Sequence, residues 1–189
     1  MNYNAEEQYQ SMLRAYEALR ALATDIGKTA VIGDHAAVDA AKFFFIACYH
    51  FKDWLKKDSR ITRPKDVEAF INTNHALALA ADLCNSFKHA GPDKAKTPRS
   101  GTHLDQINMA YSLDIPATTE PGFIKGTRNP SDGDTITISH SNRIGSPVAT
   151  AKVVLTIGGN KHEALDLATQ CVKDWDTFLA AQGIQFSKT

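Results

Sequence analysis

The sequence predicts a mainly α protein: four main helices in a bundle, with a small β-hairpin inserted before the last helix. Three observations predict it. Two segments, centred on residues 40–49 and 76–84, are apolar on nearly every side, as helices covered by neighbours all round are. Two others, near the start and the end of the chain, carry one apolar face at helical spacing. A single late stretch alternates apolar and polar residues with the period of a half-buried strand. The 189 residues fit one domain, 1–189, with the bundle at 4–91 and 160–183 and a loop plus β-hairpin insertion at 92–159.

The first helix is predicted over about Ala5–Ala23. Asn4 can cap it, and Glu7 completes a capping box. Tyr9, Met12, Tyr16, Leu19 and Ala23 form its apolar face. The second runs from an Asp34 cap to about Lys57, and its run Ala40 to Tyr49 places it at the centre. Pro64 precedes a short amphipathic turn, Asp66 to Ile71. Asn72-Thr73-Asn74 supplies caps for the next helix, His75 to about Ala90, which Gly91-Pro92 ends. Residues 93–134 lack periodicity, with short strands expected at Ile107–Leu113 and Gly122–Lys125. Thr135–Ser139 and Ala149–Ile157 are expected to pair as a hairpin. Gly158-Gly159-Asn160 should turn directly into the last helix, with Asn160 as cap, Leu165, Ala168, Val172, Trp175 and Leu179 as its buried stripe, and Gly183 at its end.

Composition narrows the function classes. Hydrophobic residues make up 43% and charged residues 22%, which excludes a disordered or low-complexity chain. Lys plus Arg is 21 and Asp plus Glu is 21, so the overall basic excess typical of a polyanion binder is missing. Cys48, Cys84 and Cys171 match no zinc spacing and sit in apolar helical stretches, as buried thiols of a reducing compartment do. The polar, acidic start is no signal peptide, and the run Ala40 to Tyr49 is too short to cross a bilayer. A cytoplasmic protein without a membrane partner is expected. No phosphate-binding loop, dinucleotide fingerprint or nucleophile elbow occurs, and no cofactor is called for.

Polar residues within the two central helices are the candidates for chemistry. His50, Asp53 and Trp54 share one helix face, and Asp82, Asn85 and His89 share another, flanked by Lys88. Charged groups in such apolar helices are costly unless paired. If the two helices run antiparallel with Asp66–Ile71 outside the pair, His50 comes level with Asp82, so a His50–Asp82 contact is expected. That contact has a structural reading, a polar pair that fixes helix register, and a functional one. His50, Asp53, Asp82 and His89 could also supply metal ligands, although no tight ligand motif is present and no metal is assigned. Lys52, Lys56, Lys57, Arg60 and Arg63 form a local basic group that could contact phosphates, or be a solvated helix end.

The segments His50-Phe51-Lys52-Asp53-Trp54 and Asp82-Leu83-Cys84-Asn85-Ser86-Phe87-Lys88-His89 resemble a group of uncharacterised bacterial helical proteins with H-x-x-D-W and D-x-x-N-x-x-K-H motifs on successive helices. That group looks related to the HEPN superfamily. The resemblance covers roughly residues 34–91. It implies an all-helical, often dimeric bundle, and for many members an RNase role in bacterial stress or defence systems. On that likeness His89 would be general acid/base, His50, Asp82 and Asn85 would shape the site, and Lys88 would offset phosphate charge. The catalytic signature of the superfamily places an Arg before its His; here Cys84 stands where a four-residue spacing would put it. Two readings follow. One is a non-catalytic binding or dimerisation module with a protein partner or a second copy. The other is a divergent RNA-binding protein or ribonuclease using His89.

Overall fold

The computed structural model describes residues 4–24, 34–88, 97–114, 124–129, 135–140 and 148–187. The fold is mainly helical, with a small antiparallel sheet before the last helix. In chain order the elements are α1 (Ala5–Thr24), α2 (Asp34–Leu55), α3 (Pro64–Thr73), α4 (His75–Lys88), β1 (Leu104–Asp114), β2 (Ile124–Asn129), β3 (Thr135–His140), β4 (Val148–Ile157), β5 (Asn160–Glu163) and α5 (Ala164–Ala181).

Local signals account for the helix ends. Asn4 accepts a hydrogen bond from the Glu7 amide at 2.9 Å, the capping interaction that the first helix was expected to make. The segment Asp66–Ile71, expected as a turn, is instead part of a full helix. Pro64 stands in its first turn, where a missing N–H costs nothing. Val67 and Ile71 are its buried face. Helix α5 closes with a complete Schellman motif: Ile184 donates to Leu179 O at 2.9 Å and Gly183 to Ala180 O at 3.0 Å. Gly183 holds a φ of +68°, which a side chain would resist. The expected helix stop at Gly91-Pro92 and the cap at Asp34 fall on residues, or side chains, outside those described.

The core forms where α2, α4 and α5 meet. Every residue from Ala76 to Cys84 in α4 is buried. Phe44, Phe45, Leu79 and Leu83 are buried as the apolar runs required. Phe51 of α2 packs edge-on against Trp175 of α5, with ring centroids 5.2 Å apart at 82°. Helix α2 is not covered all round, however: Phe43 is 68% exposed. Cys48, Cys84 and Cys171 are buried free thiols.

The sheet corrects the expected hairpin. Strand β3 pairs with β2, not with β4. Strand β4 pairs antiparallel with both β1 and β5, giving the order β1-β4-β5. Val153, Leu155 and Ile157 of β4 are buried at the strand period of two. Gly158-Gly159 turns β4 into β5 rather than into the helix. Asn160 therefore opens a strand, and Glu163 occupies the cap position of α5 without a side-chain cap bond. Gly158 is needed twice over. Its φ is +55°, and an added Cβ would lie 2.7 Å from Thr102 Cγ2.

Candidate functional site

The polar residues of α2, α3 and α4 meet the segment 97–102, which leads from the helical body into β1. Two carboxylates organise the junction. Asp82, buried in α4, turns toward this segment and not toward His50. Its Oδ1 accepts the Arg99 amide at 2.9 Å. Its Oδ2 accepts the Ser100 amide at 2.8 Å and the Ser100 hydroxyl at 2.7 Å. Both oxygens are thus engaged by a turn that Pro98 and Gly101 close through their own backbone bond of 3.1 Å. Backbone N–H groups that lose part of their water must find acceptors, and Asp82 supplies them to the part-buried Arg99 and Ser100 amides.

Glu68 of α3 is the second organiser. Its Oε1 accepts from Lys52 at 3.1 Å and from Lys56, and its Oε2 accepts from Arg99 Nη1 at 2.8 Å. Arg99 also donates to Asn72 Oδ1 at 2.8 Å and to the Tyr49 hydroxyl at 3.3 Å. The Tyr49 ring carries the Lys52 ammonium 4.6 Å from its centroid and the Arg99 guanidinium at 5.6 Å. Burial alone would raise the Glu68 carboxyl; the hydrogen bonds from Lys56, Arg99 and Lys52 outweigh it and hold it down at about 2. Burial works against the charge on Arg99 and Lys52 too, yet their carboxylate partners raise both above the ordinary range.

His50 extends this network along α2. Its Nδ1 lies 3.3 Å from Asp53 Oδ2, and its Nε2 meets the Lys88 ammonium. Asp53 also takes Lys52 at 3.1 Å. Burial would raise its carboxyl, but the bonds from Lys52 and His50 lower it. Both ring nitrogens of His50 are thus engaged, one by Asp53 and one by Lys88.

The candidate residues divide accordingly. His50 and Lys88 come together; the expected His50–Asp82 contact is replaced, among the described residues, by Asp53 and Lys88 on one side and Arg99 and Ser100 on the other. Asn85 is half-buried on α4. His89 lies outside the described residues. Of the basic group, Lys52 and Lys56 go to Glu68, and Arg60 forms a two-point pair with Asp58 at 2.9 and 2.7 Å. Arg63 pairs with Asp66 at 2.9 Å, and Lys57 lies 5.9 Å from the Trp54 ring centroid. Among the described residues no three His, Cys, Asp or Glu side chains gather in a way that could hold a metal ion. No described helix is long and apolar enough to cross a membrane.

Glu68, Tyr49, Asn72 and Ser100 were not singled out as site residues by the sequence, whereas Arg99 belongs, with Lys88, Lys94 and Lys96, to a second local basic group that could contact phosphates or be a solvated helix end. Two open cavities lie elsewhere. One of about 450 Å³ is lined by Tyr9, Asp176 and Phe186, the other, of about 410 Å³, by Trp54, Lys57 and Arg60. No family model matches the chain, and neither a curated protein nor a solved structure matches it.

Proposed function

We propose that the protein is a non-catalytic helical binding module, of the HEPN-like kind its α2 and α4 segments resemble, acting on a protein partner or a second copy in the bacterial cytoplasm. The observation that carries this reading is the engagement of Asp82. On the ribonuclease reading Asp82 would shape the site beside His50; instead both its oxygens hold the Arg99–Ser100 turn, and His50 bonds Asp53 and Lys88. The basic group supports the same reading. Four of its five cations are paired with carboxylates of this chain, so it is not a bare stripe along which an RNA backbone would run. The exposed Phe43 on α2 adds an apolar side chain for a partner to cover.

The competing reading is a divergent RNA-binding protein or ribonuclease that uses His89, and a direct assay separates the two. Purified protein is incubated with single-stranded and structured RNA in EDTA, beside His89→Ala. The module reading predicts no cleavage by either. Cleavage by the wild type that His89→Ala abolishes would overturn it and make His89 the general acid/base. A light-scattering measurement of the same sample would show whether a second copy is the partner.

A further inference from the structure

We propose that the outer edge of β1 is the surface on which a second copy of this chain docks, β1 against β1 in antiparallel register, so that two three-stranded sheets join into one of six strands. The proposal rests on the binding-module reading and names its partner.

Strand β1 pairs with β4 along one side, and among the described residues no strand pairs along the other. An open edge of that length presents a row of backbone N–H and C=O groups that a further strand can take up. Proteins commonly block such an edge with a lysine, a proline or a bulge. Between Gln106 and Asp114 there is no lysine, arginine or proline. The one break in register comes earlier, between Leu104 and Gln106.

The apolar layer under the sheet also stops one strand short. Leu155, Val153 and Ile157 of β4 are buried. Their direct neighbours on β1, Ile107, Met109 and Leu104, pack against the same core and are only half-buried. On the other face of the strand, Gln106, Asn108 and Ala110 are exposed. What would complete the layer is a strand with an apolar inner row and an uncharged outer row, and β1 itself has that pattern. In antiparallel register centred on Asn108, Ile107 lies across from the partner's Met109, and Gln106 from the partner's Ala110. Both apolar rows then fall on the core face, and Asn108 meets its twin on the two-fold axis of an isologous dimer. A slip of one residue would set Met109 against Asn108 and turn one apolar row to solvent. The charges agree with the same register. Asp105 comes opposite the partner's Tyr111, and Asp114 passes beyond the end of the partner's β1, so no like charges face one another across the seam.

The test is light scattering on the full chain at concentrations up to ~0.5 mM, enough to populate a weak dimer. The wild type should show a concentration-dependent dimer. Asn108→Lys sets two ammonium groups against each other at the axis and should weaken dimerisation at least about tenfold. Because Asn108 is exposed, its thermal unfolding as a monomer should stay unchanged. Asn108→Cys, oxidised with glutathione disulfide, should link to its twin; Ala110→Cys, whose neighbour is the partner's Gln106, should not. A monomer at every concentration, a dimer that Asn108→Lys leaves intact, or cross-linking that does not favour Asn108→Cys over Ala110→Cys overturns the proposal. A dimer abolished by Phe43→Ser and not by Asn108→Lys would move the second copy to α2 and overturn it as well. Should Asn108→Lys not fold, the two cysteine variants decide. RNA cleavage dependent on His89 would refute the module reading and leave the dimer measurement untouched; a monomeric chain would refute the β1 seam and leave the module reading with a different protein as its partner.

Discussion

Asp82 and Glu68 hold the same piece of chain by opposite means. Asp82 is 8% exposed and bonds two backbone amides and a hydroxyl, all neutral donors. Glu68 keeps 29% of its side-chain surface in solvent and bonds three cations. One arrangement satisfies a buried carboxylate with neutral, part-buried donors. The other gathers charges that water would have served nearly as well. The first is therefore expected to govern stability, and the second to govern electrostatics, with a small share in the folding energy.

The largest expected effect is at Asp82. Asp82→Ala leaves the Arg99 and Ser100 amides without their acceptor and should cost about 3 kcal/mol, read from the urea midpoint. Asp82→Asn keeps one acceptor oxygen and should cost roughly half as much. If Asp82→Ala changes stability no more than Glu68→Gln does, the contrast between the two carboxylates is wrong.

Next comes the point where the same segment meets the sheet. Gly158→Ala forces a left-handed backbone onto a residue with a side chain and drives its Cβ into Thr102. It should destabilise by roughly 1–3 kcal/mol. A neutral result would mean that the 102–158 approach is looser than the Gly158–His103 backbone bond of 3.0 Å implies.

Glu68→Gln should cost about 1 kcal/mol or less in unfolding experiments. The size of that loss should shrink further in high salt, which screens the exposed cations; the loss in Asp82→Ala should not. A salt-independent Glu68 effect would erase the distinction.

The pH dependence sharpens it from another side. The Glu68 carboxyl titrates at about 2 in the folded chain against an ordinary value of 4.5. A lowered carboxyl contributes stability that is complete above the ordinary value and is lost as pH falls toward the folded one. Wild type should therefore lose more stability than Glu68→Gln between about pH 4.5 and pH 2, and the two should run parallel above it. Divergence above pH 6 instead would assign the cluster's titration to another group.

The contrast also explains what the sequence could show. The long helices were legible because burial writes itself into periodicity: Tyr9, Met12 and Leu19, or Ala168, Trp175 and Leu179, recur at the spacing that puts them in the core, although Leu165 and Val172 of the expected stripe are only half-buried. Helix α3 was hidden by its shortness, although Pro64 at its start was a usable sign. Strand pairing was not legible because β4 takes the long, sequence-distant β1 over β3, which precedes it directly in the chain and made the plausible hairpin. The polar seam was half legible. His50, Asp53 and Lys88 lie on helix faces that spacing defines. The partner of Asp82 comes from a segment without periodicity, and its backbone amides leave no trace in residue type. Glu68 read as one more acidic residue of a short amphipathic turn, since nothing local says that three cations will meet there.

The most direct test of the central claim, that Asp82 is a structural anchor and not a reactive group, is amide hydrogen exchange at Arg99 and Ser100. The account predicts slow exchange of both amides in the wild type and loss of that protection in Asp82→Ala, with the amides in the middle of α4 still protected. Arg99 and Ser100 amides that exchange at unprotected rates in the wild type would contradict it.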